Sequence, residues 1–182
     1  VSGADLTFDP QGGGFRVAGT DRSVSLEKLA EVARAAGKLD LLSHETENTV
    51  PGRSFPNGCH ICEVEVDPDT GLLEVVKYTV VDDFGLLMNP ILAIGQVHGG
   101  VAQGIGQAVT EQVVYDEDGQ LLTATFMDYA IPRADQIPDM PFFSEPTPST
   151  ANAIGMKGCG EAGTVGALAA VTNAALDAVA AA

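Results

Sequence analysis

Gly155-Met-Lys-Gly-Cys-Gly-Glu-Ala-Gly163 is the stretch on which the reading of this chain turns. Four of its nine residues are glycine, so the backbone can turn sharply and admit a close neighbour. Directly after it comes Thr164-Val-Gly-Ala-Leu-Ala-Ala-Val-Thr-Asn-Ala-Ala-Leu-Asp-Ala-Val179, whose alanine content predicts a helix with Thr164 as N-cap. A glycine loop leading onto a helix N-terminus is suited to polar or anionic groups, because the first-turn amides have no partners of their own. Glu161 is the one acid inside the loop. It reads either as a general base or as a charge favourably placed at a helix start.

Gly158-Cys-Gly-Glu-Ala-Gly163 also spells the dinucleotide fingerprint G-x-G-x-x-G. That fingerprint requires a preceding strand, a following helix and then a second parallel strand. Only the helix fits between Gly163 and Ala182, so the context fails.

Composition bounds the function classes. A length of 182 residues predicts one domain, 1–182, that buries roughly 70% of its unfolded surface. A net charge of −16 argues against nucleic acid and anionic membranes as partners. No run of eighteen apolar residues free of glycine and charge is found, so no membrane span is expected. Three cysteines, an odd number without a secretion signal, point to a reduced, cytoplasmic setting.

Along the chain, residues 4–17 read as a hairpin turning at Asp9-Pro-Gln-Gly-Gly-Gly14. Ser25 caps an amphipathic helix that stops at Gly37. Residues 38–57 read as irregular. Cys59-His-Ile-Cys-Glu-Val-Glu-Val-Asp67 alternates apolar and charged, the period of a half-buried strand. Asp67-Pro-Asp-Thr-Gly71 is a turn, and residues 72–81 form the partner strand. Cys59 and Cys62 lie three apart on that strand and point to opposite faces, so the C-x-x-C spacing is not a metal clamp. No metal ligand is assigned.

Asn89-Pro90 predicts an N-cap with proline at the first helical position of a helix ending near Val113. Ile94, Val97, Val101, Ile105 and Ala108 make its apolar stripe. Gln96, Gly100, Gln103 and Gln107 make a polar one. Five glycines between 95 and 106 weaken it by roughly 1 kcal/mol each relative to alanine. Either a ligand or a neighbouring helix must come close there. His98 reads as a structural histidine. A further strand is expected over 121–128, and Phe142-Phe-Ser144 as a short one. The fold class expected is α+β, antiparallel hairpins at 59–81 and 121–128 packed against helices 90–113 and 164–181.

Taken together, Asn89-Pro90, Gly95-Gln-Val-His-Gly-Gly100, Gln103-Gly-Ile-Gly106, Asp128-Tyr-Ala-Ile-Pro132 and Lys157-Gly-Cys-Gly-Glu-Ala-Gly163 form an ordered series. It resembles the C-terminal part of the molybdopterin-binding large subunit of molybdenum hydroxylases, the family of xanthine dehydrogenase, aldehyde oxidase and aerobic carbon monoxide dehydrogenase. The resemblance runs from about Asp5 to the end. It implies molybdenum on molybdopterin cytosine dinucleotide, with iron–sulfur clusters and FAD carried on partner subunits. Glu161 falls on the family's general base, which takes the proton of a molybdenum-bound hydroxyl as oxygen attacks a small substrate. That substrate is a purine, an aldehyde, an N-heterocycle or carbon monoxide. Gln96 falls on the glutamine that contacts the pterin, and Lys157, Gly158, Cys159 and Gly160 on the backbone packed against it.

The family's N-terminal half, with further cofactor motifs and the determinants of substrate choice, is absent here. The resemblance therefore implies a C-terminal domain that is inactive alone, docks with that half, and is prone to self-association when isolated. Two alternatives remain open: a non-catalytic assembly module of the same fold, or a nucleotide-binding protein using the 155–163 loop.

Overall fold

The computed structural model describes residues 2–180. The length predicts one domain, but the chain divides into two compact units, one up to Thr49 and one from Val50 onward. The boundary falls in the stretch read as irregular, where Pro51, Gly52 and Pro56 follow a polar run that has no apolar face to pack. Each unit is described by itself.

The first unit is an antiparallel three-stranded meander, β1 (Leu6–Asp9), β2 (Gly14–Val17) and β3 (Ser23–Ser25), followed by helix α1 (Leu26–Ala35). The expected hairpin is present, with Phe8 opposite Phe15 and their rings edge to face at 5.3 Å. Ser25 accepts from the Lys28 amide at 3.1 Å and caps α1, and Gly37 stops it at φ 66°. Strand β3 is an addition to the sequence reading, because three residues carry no readable period.

The second unit is α+β. Its sheet runs β4 (Asn57–Val66), β5 (Leu73–Asp83), β6 (Phe142–Ser144) in that spatial order. β4 and β5 are the expected antiparallel hairpin; β6 lies parallel to β5. Asp67 shapes the turn by accepting from the amides of Asp69 and Thr70 at 2.8 and 3.0 Å. Pairing passes from Glu63–Lys77 to Val64–Val75 and leaves Val76 over. That bulge resets the alternation, so Val75 and Tyr78 both face inward, followed by Val80 and Asp82.

Two helices cover the sheet. Helix α2 (Pro90–Ile105) begins where expected, with Asn89 accepting from the Leu92 amide at 3.2 Å. It ends short of Val113, passing into one π-helical turn over Gly106–Thr110. Helix α3 (Ala162–Ala180) starts two residues before the expected cap. Thr164 is inside it and donates to the Gly100 carbonyl at 3.0 Å, so it ties helix to helix and is not a cap. By length and composition α3 could cross a membrane; here it packs through buried Gly163, Ala167 and Val171.

The core joins Tyr78, Val80 and Phe84 of the sheet side to Val97, Val101 and Ile105 of α2 and to Ala167 and Val171 of α3. Each large apolar side chain among them contributes roughly 1.5–3 kcal/mol of burial. Within the apolar stripe read for α2, Val97, Val101 and Ile105 are buried, while Ala108 is exposed.

The strand expected over 121–128 does not form. One bridge pairs Tyr115 with Leu121 across the turn that closes at Gly119. Beyond it Thr125 donates to the Asp128 carboxylate at 2.8 Å and its carbonyl accepts from the amides of Asp128 and Tyr129. A side chain that bonds locally competes with a ladder, and the local turn wins.

Candidate active site

The 155–163 loop is fastened to the end of β5 and to α2. Gly155 sits at φ 78°, and its carbonyl accepts from the amides of Leu86 and Ser149, each at 3.0 Å. Asn152 closes the loop on itself, donating to the Met156 carbonyl at 2.8 Å and accepting from the Met156 amide at 3.0 Å. The Lys157 amide donates to the Phe84 carbonyl at 2.8 Å. Its ammonium reaches Asp83 at 2.6 Å, both side chains almost wholly buried. Asp83 also accepts from the amides of Gly85 and Thr147, each at 2.9 Å. The Lys157 bond first, and then these two amides, hold the Asp83 carboxyl well below the usual carboxylate range.

From the other side, Gln96 on α2 donates through Nε2 to the Gly160 carbonyl at 2.6 Å. Helix α2 approaches the loop closely because neither partner has a side chain at the crossing. A Cβ on Gly100 would lie 3.0 Å from the Gly163 Cα, and one on Gly163 would collide with the Val97 carbonyl. Glu161 directly precedes α3, its carbonyl accepting the Val165 amide at 3.0 Å, and its side chain is exposed.

Two concavities flank the loop. One, about 610 Å³, is bordered by Glu161, His60, Asp82, Val165 and Gly166. The other, about 440 Å³, is bordered by Gln96, Cys159, Phe84, Met88 and Leu92. Both are the size of small-molecule clefts. Gly158 and Gly160 border both, and nothing lies within 4 Å of where a side chain on either would begin. The loop is thus a bare backbone partition between a carboxylate on one side and an amide on the other.

Residues 1–138 match the sequence model of the molybdopterin cofactor-binding domain. This chain belongs to that family. It is 36% identical over 174 residues to the 6-hydroxypseudooxynicotine dehydrogenase complex subunit gamma of Paenarthrobacter nicotinovorans, covering 92% of this chain and 22% of the relative. The nicotine 6-hydroxylase large subunit of the same organism is 46% identical over 125 residues, covering 69% of this chain and 15% of the relative. The reconstituted CO dehydrogenase from Oligotropha carboxidovorans shares the fold, with a TM-score of 0.83 at 32% identity over 99% of this chain and 23% of that one. The chain therefore spans about a fifth of the length of the relatives it matches. The resemblance read from the motifs to the large subunit of molybdenum hydroxylases is sustained.

In the structure the residues singled out from sequence come together. Gln96, Lys157, Gly158, Cys159, Gly160 and Glu161 all lie on or against one loop. Lys157 contributes backbone there, since its ammonium is engaged by Asp83. The α2 glycines divide the two roles left open: Gly100 and Gly104 are buried against α3, whereas Gly95 and Gly99 face open space. Gly100 thus leaves the polar stripe and joins the packing. His98 donates from Nε2 to the Met140 carbonyl at 2.9 Å, a structural contact. Cys59 is exposed and Cys62 half-buried, on opposite faces, and both are free thiols. Among the described residues no group of three His, Cys, Asp or Glu side chains could hold a metal ion.

Reading the sequence missed Asp83, His60 and Asp82. His60 shares the inward parity of Cys62 and Val64, and Asp82-Asp83 ends a strand that should finish apolar. Those two irregularities were the available signals.

Proposed function

We propose that this domain carries the general base and part of the cofactor cradle of a molybdenum hydroxylase acting on a small substrate. The single observation behind the reading is the loop itself, with Glu161 on one face, the Gln96 amide on the other, and Gly158 and Gly160 bare between them.

The residues fit a flat, polar cofactor. Glycine faces without side chains admit close approach to backbone amides and carbonyls, and Phe84 and Leu92 supply an apolar wall. Gln96 and the backbone of Lys157, Gly158, Cys159 and Gly160 would hold the pterin end. When bound, the group supplies two-electron oxidation of a substrate carbon. We assign it as the cytosine dinucleotide form. Iron–sulfur and FAD subunits would take the electrons, and an N-terminal half of the large subunit would complete the cavity.

In that setting the chain's own work is proton transfer and orientation. Glu161 must reach the proton it accepts, and it borders a cleft from a junction fixed on both sides. The Lys157–Asp83 pair fixes the incoming strand of the loop, the Gln96 bond fixes Gly160, and α3 fixes the backbone from Ala162 onward. A base held this way loses little freedom when substrate binds.

The test uses the complete complex, assayed with a purine, an aldehyde, an N-heterocycle and carbon monoxide. Glu161→Gln keeps shape and hydrogen bonding but cannot take a proton. Molybdenum content should stay at the wild-type level while turnover drops by roughly 10²–10⁴-fold. Near-normal turnover at full molybdenum content would remove Glu161 as the base.

A further inference from the structure

Beneath Glu161 lies a buried polar chain that neither the family match nor the base assignment uses. His60, on β4, has Nδ1 2.8 Å from the Tyr78 hydroxyl and Nε2 3.5 Å from Asp82 Oδ1. Tyr78 has no exposed surface, and the His60 and Asp82 side chains are 6% and 3% exposed. Asp82 Oδ2 is buried without a hydrogen-bond partner among the described residues. Groups of this kind are costly to bury, and hydrophobic replacements of similar volume would be at least as stable.

Burial pushes the Tyr78 phenol well above its ordinary value, so it keeps its proton and shares a hydrogen bond with His60 Nδ1. Nε2, on the opposite edge of the ring, faces Asp82 Oδ1. The imidazole is held on both edges in one orientation.

That orientation bears on the helix next to it. The ring lies against Gly166, one turn into α3: a Cβ there would come 2.5 Å from its Cε1 and Nδ1. Gly58 is glycine for the matching reason, since a Cβ there would collide with Asp82 Oδ1. The imidazole is therefore the floor on which the first turn of α3 rests, and Glu161 opens that turn.

We propose that His60, clamped between Tyr78 and Asp82, is a positioning residue for Glu161, setting the height of the first turn of α3 above β4. The proposal rests on Glu161 as the base. It adds that the carboxylate's place is fixed from below by a ring whose own orientation is fixed by the Tyr78 hydrogen bond on one edge and the Asp82 carboxylate on the other.

The test measures amide hydrogen exchange, turnover per molybdenum and melting temperature on the complete complex. His60→Ala should speed exchange of the amides at 165–169, the first with helical partners, by roughly tenfold while α2 stays protected. Turnover per molybdenum should fall by roughly ten- to a hundredfold, with KM changed far less. A residue that merely stabilises the fold would lower melting temperature and leave turnover per molybdenum unchanged. Unchanged exchange at 165–169 overturns the proposal. Should His60→Ala fail to assemble, Tyr78→Phe decides, because it keeps the ring packing and removes only the clamp on Nδ1. A smaller loss in the same direction supports the proposal, and wild-type turnover per molybdenum in Tyr78→Phe overturns it. Glu161→Gln run in parallel separates the two claims. If that variant stays active, the base assignment fails, and the exchange data still decide whether His60 holds the turn.

Discussion

The Lys157 ammonium and the Asp83 carboxylate meet at 2.6 Å across 74 residues of sequence, joining the glycine loop to the end of β5. Breaking one partner leaves the other almost buried and uncompensated, which is worse than removing both. Lys157→Met should therefore lower the melting temperature more than the double change Lys157→Met with Asp83→Leu. The pH dependence follows from the depressed Asp83 pKa. Its contribution is complete above the ordinary carboxylate value of about 3.9 and is lost as pH falls below it toward the native value. Thermal melts from neutral pH down to pH 3 should show the wild type losing stability faster than Asp83→Asn below about pH 4. Parallel pH profiles for the two would remove Asp83 as a contributor.

Two glycines of α2 should respond to the same substitution with opposite sign. A Cβ on Gly104 would come 2.5 Å from the Ala167 Cβ, so Gly104→Ala forces α2 and α3 apart, at a cost of about 1–3 kcal/mol. Nothing lies within 4 Å of a Cβ on Gly99, and an added methyl there restricts the unfolded chain and favours helix by up to about 1 kcal/mol. Denaturant melts of the two variants should bracket the wild type. Equal shifts in one direction would mean the helix pair is not packed as described.

Much of this was legible in sequence, for physical reasons that vary by element. The β4–β5 hairpin declared itself because period-two alternation meets a turn whose Asp67 and Gly71 leave the chain few choices. α2 showed its start through Asn89 and Pro90 but not its end, since Gly104 and Gly106 carry no stop signal and the π turn depends on contacts beyond the helix. The strand expected over 121–128 does not form, because a side-chain bond from Thr125 to Asp128 closes a local turn that nothing in the local pattern announces. Phe142-Phe-Ser144 was readable as a strand, but its parallel pairing with β5 was not, because a partner so far back along the chain leaves no local signal. At the site, the glycine loop, Glu161 and Gln96 were readable as a motif. The Asp83 anchor and the His60 floor were not, because each acts through a partner that only the fold brings near.

The cysteine pair on β4 offers a chemical check on strand parity. Cys59 is exposed, while Cys62 faces inward, where burial, with the Glu63 charge adding to it, pushes its thiol up to about 11. Thiolate is the reactive form and burial both withholds it and blocks access at Cys62, so an alkylating reagent at pH 8 should modify the exposed Cys59 at least roughly tenfold faster than Cys62. Peptide mapping after timed labelling reads both rates. Comparable rates would place the two thiols on one face and refute the register.

The bond from Gln96 to Gly160 makes the glutamine a joint between α2 and the loop, with its amide already half committed before any cofactor arrives. Nε2 is used on the loop carbonyl, which leaves the amide oxygen to accept from a ligand. Two consequences of Gln96→Ala should therefore appear together. Loss of one neutral hydrogen bond costs about 1 kcal/mol, so the melting temperature should drop only slightly. Molybdenum content per large subunit in the complete complex should fall several-fold, because the anchor of Gly160 is gone and, on the proposed function, so is a contact to the pterin. Gln96→Glu sharpens the point. It keeps the length and an acceptor but cannot donate to the Gly160 carbonyl, so it should also lose molybdenum. Metal analysis beside turnover per bound molybdenum checks this. Full molybdenum content in both variants would mean that Gln96 serves α2–loop packing alone.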